Sequence, residues 1–186
     1  MMIIALSGPS GSGKSTIIKE LASEYNVLYE KYIPLNVHSL NNRHILSKWK
    51  WIGYWFDNVF EFASKNCKLL ITDRSPIDTA AYVDNGETIL LPAVKSSLEE
   101  LSNYGHEFRS ILITSDIDIL IERIKARIAD EPERLSYHEM DIDFSKRVFD
   151  FFTQQKIWQA TFNTSRCTLK EATLSVTKSI KELSEY

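Results

Sequence analysis

Short apolar runs alternate along this chain with longer stretches whose apolar residues recur at helical spacing, the pattern of parallel strand–helix–strand units. Residues 3–6 read as the first strand, 15–23 as the helix behind it and 27–29 as a second strand. A long aromatic helix is expected over 44–64, with Ile52, Phe56, Val59, Phe60 and Ala63 at helical spacing. Residues 68–72 form a compact buried strand that ends at Asp73. Residues 92–104 look helical, with Pro92 near the start and Gly105 after the end. A strand over 110–114 leads to Asp116, a helix cap, and to a stripe of Ile117, Leu120, Ile121, Ile124 and Ile128. A helix over 144–162, a strand near 166–169 and a last helix with Ala172, Val176, Ile180 and Leu183 facing inward complete the chain. Five strands and about seven helices predict an α/β fold, a three-layer α/β/α sandwich around a five-stranded parallel sheet, with residues 1–186 in one domain.

Composition narrows the function rather than the fold. The 186 residues are 44 % apolar and 25 % charged, ordinary for a globular protein, and can bury a core without staples. A net charge of −3 gives no footprint for a nucleic-acid coater or a membrane-surface binder. Cys67 and Cys167 lie far apart without a metal-binding spacing, and His38, His44, His106 and His138 form no cluster. The opening Met-Met-Ile-Ile-Ala-Leu is too short for a secretory leader, and no run is long enough to span a bilayer. A cytoplasmic location is expected.

The most specific stretch is Gly8-Pro-Ser-Gly-Ser-Gly-Lys-Ser-Thr16, a match to G-x-x-x-x-G-K-[ST] between a strand and a helix. Glycines let the backbone wrap so that its N–H groups converge on one phosphate, and the following helix points its positive end at the same anion. Gly8, Ser10, Gly11, Ser12, Gly13, Lys14, Ser15 and Thr16 are therefore expected to bind ATP. Lys14 is expected along the β- and γ-phosphates, exposed until they bind, and the Ser15 hydroxyl on magnesium. A guanine-reading Asn-Lys-x-Asp is absent, which counts against a GTPase. The third strand ends in Asp73-Arg74 rather than an acidic pair, which suits a transferase holding a second anionic reactant.

Asp73 is expected to hold magnesium, directly or through water, or to accept a proton from the acceptor oxygen. Arg74 offers a forked contact to an acceptor phosphate. Asp73-Arg74-Ser75, with Ala81-Tyr82 beyond it, resembles the thymidylate kinase and deoxynucleoside kinase superfamily. The stretch from Ser110 to Arg127 is similar to that family's strand followed by Glu-Arg-Ile-x-x-Arg, and Glu131-Pro-Glu-Arg134 is similar to its lid. The resemblance implies a P-loop NTPase fold of nucleotide-kinase type, with a lid over about 123–138. Arg123 and Arg127 lie four apart on one helix face, where like charges repel unless an anion sits between them. With Arg134 they are expected to close over the γ-phosphoryl group. The Gly-Pro-Ser-Gly form of the loop is like that of guanylate kinases, whose GMP-binding segment is not recognisable here.

On the acceptor side the expected residues are Glu30, Arg43, Trp51, Trp55, Arg74, Asp78 and Tyr82, with Trp51 and Trp55 as base-stacking rings on one face. The expected activity is magnesium-dependent transfer of the γ-phosphoryl of ATP to a deoxynucleoside monophosphate, thymidylate first. The catalytic residues are then Lys14, Asp73, Arg74, Arg123 and Arg127, and the metal ligands Ser15 and Asp73. A deoxynucleoside, a modified base or a polynucleotide end remains an alternative acceptor. An ATP-sensing regulator that transfers nothing is the alternative of another class. The long aromatic helix is also a candidate for homodimer contact.

Overall fold

The computed structural model describes residues 1–31, 44–131 and 140–185. Arg43, Arg134 and the later part of the expected lid, 132–138, lie outside these residues. Five parallel strands form one sheet: β1 (Met2–Ser7), β2 (Asn26–Leu28), β3 (Leu69–Asp73), β4 (Glu107–Thr114) and β5 (Ala160–Asn163), in the order β2-β3-β1-β4-β5. The central strands are apolar on both faces because both are covered. Ile4, Leu6, Ile71, Ile111 and Ile113 pack under α1 (Lys14–Leu21) and α6 (Leu169–Ser184). On the other face Ile3, Leu70 and Leu112 pack under α2 (Ile45–Ser64), α3 (Gly86–Asn103) and α5 (Ile142–Gln154). A short 3-10 helix, Pro76–Tyr82, follows β3, and α4 (Ile117–Asp130) follows β4. The expected three-layer α/β/α architecture is the observed one. Among the described residues no helix is long and apolar enough to cross a membrane.

Three boundaries depart from the sequence reading. Helix α3 begins at Gly86, six residues before the expected start, and carries Pro92 inside it. The stripe of Leu90, Leu91, Val94, Leu98 and Leu101 is buried along the sheet and outweighs the lost hydrogen bond at Pro92, whose ring faces solvent. Helix α5 stops at Gln154, and the Trp158 indole N–H donates to the Phe152 carbonyl just beyond it. The fifth strand is therefore Ala160–Asn163, not 166–169. Thr168 and Glu171 form a capping box that commits the later segment to the start of α6.

Candidate active site

The phosphate-loop residues join the C-terminal end of β1 to α1, in the crevice where open α/β sheets bind ligands. Two glycines are demanded by geometry. Gly8 has φ 145°, and a Cβ there would stand 2.0 Å from the Ile113 carbonyl oxygen. Gly13 caps α1 with φ 90°, a left-handed conformation that side chains avoid. The loop is held from outside as well. The Gly8 N–H donates to Asp78 Oδ2 at 3.3 Å, and the Thr164 hydroxyl donates to the Ser12 carbonyl at 3.0 Å.

Lys14 differs from the expectation of an exposed ammonium. It is 4 % exposed, and its Nζ donates to the Pro9 carbonyl at 2.7 Å and to Ser12 Oγ at 3.0 Å. Burial, with help from the nearby Arg74 charge, lowers its pKa to about 7 against the pull of three carboxylates. Beside it Asp73 is buried at the end of β3, with the Ser15 hydroxyl near its carboxylate. Burial and the Glu30 charge raise the Asp73 pKa, and its Oδ1 has no hydrogen-bond partner. Thr16, on α1, is exposed.

Arg74 is the centre of the expected acceptor side. Its backbone is left-handed, φ 72°, so the side chain turns back over the loop. The guanidinium donates through Nε to Glu30 Oε2 at 2.8 Å and through one terminal nitrogen to the Gly8 carbonyl and the Tyr82 hydroxyl. It also lies 5.1 Å above the Tyr82 ring. Burial opposes the Arg74 charge, but Glu30, Tyr82 and two aspartates outweigh it. Burial likewise opposes the Glu30 charge, and Arg74 holds that carboxyl below its ordinary range.

Asp78 is fully buried and binds structure rather than space. It accepts from Gly8 N–H and from the Ser75 hydroxyl and N–H, and lies 3.6 Å from Arg74. It thus ties the phosphate loop to the Asp-Arg-Ser segment. Burial raises its pKa in spite of these partners.

A cavity of about 470 Å³ runs from the loop to the aromatic side of the molecule. Ser10, Ser15, Asp73, Glu30, Lys48, Tyr29, Trp51 and Phe144 line it, and Arg74, bonded to both the Gly8 carbonyl and the Tyr82 hydroxyl, stands between the loop and that ring. Lys48 is the residue that the sequence reading missed. Its Nζ stands 5.7 Å over the Tyr82 ring, and burial with the Arg74 charge lowers its pKa to about 8. The available signal was its position three residues before Trp51, on the same side of the helix.

Two expectations are corrected. Trp55 is 1 % exposed and packs with Ile52 and Val59 in the core, edge-on to Phe56 and Phe108, so it is no base-stacking ring. Its turn of α2 faces the sheet, whereas Trp51 reaches the cavity. Arg123 and Arg127 are not brought together either. Arg123 donates to the Thr164 hydroxyl at 2.9 Å, the Thr164 carbonyl at 3.0 Å and the Gly11 carbonyl, bracing the loop from behind. Arg127 lines the cavity and pairs with Glu131 at 3.3 Å.

No cluster of three or more His, Cys, Asp or Glu side chains that could hold a metal gathers among the described residues. The donor set fits magnesium nonetheless, because that ion uses one or two protein oxygens and completes its shell with water and phosphate. Ser15 Oγ and the unpartnered Asp73 Oδ1 supply such oxygens.

Comparison with known proteins agrees with this geometry. Guanylate kinase from Gloeobacter violaceus is 26 % identical over 143 residues, covering 72 % of this chain and 68 % of that one. Guanylate kinase from Mycoplasmoides gallisepticum is 28 % identical over 102 residues, 55 % of this chain and about half (48 %) of that one. The structure of deoxyadenosine kinase from M. mycoides with bound dATP superposes with a TM-score of 0.64 at 14 % identity, over 97 % of this chain and all of that one. That last likeness is one of fold: this is the fold of P-loop nucleoside kinases. The guanylate-kinase likeness, set aside in the sequence reading for want of a GMP segment, is the one these sequence relatives carry. A model described as an AAA domain matches residues 4–155, which take in β1 through α5 and with them every wall of the cavity, and the chain belongs to that family.

Proposed function

We propose that this protein transfers the γ-phosphoryl group of ATP to a nucleoside monophosphate, a deoxynucleotide by preference and thymidylate first among them. The observation that carries the reading is the continuity of one cavity from the phosphate loop to an aromatic wall, with Asp73 and Arg74 at the junction. Lys48, Arg74 and Arg127 line that path and Lys14 is bonded to Pro9 in its loop wall, an arrangement suited to two phosphorylated reactants brought end to end.

The loop amides and the N-terminal end of α1 grip the triphosphate. Lys14 leaves the Pro9 carbonyl and Ser12 to lie along the β- and γ-phosphates. Magnesium, held by Ser15 and Asp73, supplies neutralising charge when bound. Arg74 orients the acceptor, Lys48 meets its phosphate and Trp51 stacks on its base. Arg127 swings from Glu131 toward the transferring group. Phosphoryl transfer passes through a loose transition state, so placement and charge neutralisation account for most of the catalysis.

One observation favours a second reading, a deoxynucleoside acceptor. Arg74 already holds Glu30 at 2.8 Å, and a carboxylate fixed at this point suits a sugar hydroxyl. The test is labelled ATP with magnesium against thymidylate, GMP, dAMP and the matching nucleosides. Labelled diphosphate supports the first reading, and labelled monophosphate from nucleosides alone replaces it with the second. Saturable ATP binding without product from any acceptor makes the protein a nucleotide sensor instead.

A further inference from the structure

A loop that closes its N–H groups on an anion turns its carbonyls the other way, and each buried carbonyl then needs a donor behind it. Arg74 holds the Gly8 carbonyl at 3.1 Å, and Lys14 the Pro9 carbonyl at 2.7 Å. Arg123 reaches the Gly11 carbonyl at 3.4 Å, and the Thr164 hydroxyl reaches the Ser12 carbonyl at 3.0 Å. The first two donors face the proposed substrates. The last two belong to one assembly behind the loop.

That assembly is built around Thr164, which is 5 % exposed in the loop after β5. Its hydroxyl accepts from Arg123 at 2.9 Å and shares its single proton between the Ser12 and Thr114 carbonyls, at 3.0 and 3.1 Å. Its own carbonyl accepts from the other terminal nitrogen of Arg123 at 3.0 Å, so both oxygens of one residue fix the guanidinium plane. The same loop holds the start of α4. The Asp116 N–H donates to Ser165 Oγ at 2.6 Å, and Asn163 Nδ2 donates to Asp116 Oδ1 at 3.1 Å. Helix α4 lies in turn against the phosphate loop: a Cβ built on Gly11 would stand 3.0 Å from the Leu120 carbonyl oxygen. Arg127, one turn on, lines the cavity, whereas Arg123 aims its donors at the protein.

We propose that Arg123 is a positioning residue, which acts through Thr164 to hold the carbonyl side of the phosphate loop and so preset its amides for a nucleotide. This rests on the reading of the loop as the grip on ATP and extends it to a residue that touches no phosphate. Donation from a charged group is the stronger kind of hydrogen bond, which suits a brace. The loop amides enclose the inner phosphates, which ATP and ADP share. A positioning role therefore weakens both nucleotides equally, whereas an arginine on the γ-phosphoryl group would favour ATP alone.

Calorimetric titration of the 186-residue chain with magnesium-ADP and magnesium-ATP tests this without any acceptor, at a temperature where circular dichroism shows each variant folded. Arg123→Met is expected to weaken both nucleotides about tenfold, the scale of a hydrogen-bonded charge. Thr164→Val keeps the shape without the hydroxyl and is expected to weaken both about fivefold, while Thr164→Ser restores binding to within about twofold of the parent. The double variant of Arg123→Met and Thr164→Val should bind within about twofold of Arg123→Met alone, because one residue acts through the other. Losses that multiply overturn the proposal, and so does a loss confined to ATP. A parent that binds neither nucleotide overturns the reading of the loop as well. ADP affinity present in the parent and unchanged in both single variants overturns this proposal alone.

Discussion

The two ends of the cavity are built in opposite ways. At the proposed donor end nine consecutive residues, 8–16, make up the loop assigned to grip phosphate, and Asp78 and Thr164 brace it. At the proposed acceptor end Glu30, Lys48, Trp51, Arg74, Tyr82 and Phe144 arrive from five separate segments and meet only because the sheet order places β2 and β3 side by side under α2 and α5. The donor end can therefore be broken by one local change with the fold intact. The acceptor end is better tuned than broken, because its parts also hold one another.

The largest expected effect lies at the donor end. Lys14→Met should lower turnover by about 10²-fold or more, the scale of losing a preformed charge stabiliser. Its melting temperature should not fall, because burial already pushes the Lys14 pKa to about 7 and its charge adds nothing to folding. Turnover within a few-fold of the parent would remove Lys14 from the chemistry.

Asp78→Ala should act in the reverse sense, on the fold first. It strands the Gly8 and Ser75 N–H groups and unbalances Arg74, a loss of about 2–4 kcal/mol in urea unfolding. A variant as stable as the parent would mean that loop and acceptor segment are not coupled through this carboxylate.

Lys48→Gln should raise KM for a monophosphate acceptor about tenfold, the worth of one partly screened charge contact, and leave KM for ATP unchanged. Equal rises in both constants would show that Lys48 shapes the helix rather than meeting the acceptor. The smallest effect is in pH. Lys48 carries its proton below about 8, so the parent's KM for a monophosphate should climb as pH rises through that value. The Gln variant should lose that dependence between pH 7 and 9 at constant ionic strength, about two units around the transition. A parent profile flat across the same range would show that the Lys48 charge is not used.

The phosphate loop, the alternation of strands and helices and the Asp73-Arg74 turn were legible in the residues alone, because each is specified by neighbours in sequence. Glycines fix the loop, alternating apolar runs fix the layers, and a buried strand end fixes the carboxylate. The face that each ring presents was not. Trp51 and Trp55 have the same spacing signal, yet one lines the cavity and the other is 1 % exposed in the core, a choice made by where α2 lands on the sheet. Arg123 and Arg127 share a helix face, yet Thr164 from the loop after β5 captures only the first. Lys48 gains its lowered pKa from burial under elements distant in sequence and then from the Arg74 charge. Charge placement and burial are sums over three-dimensional neighbours, and local spacing carries none of those terms.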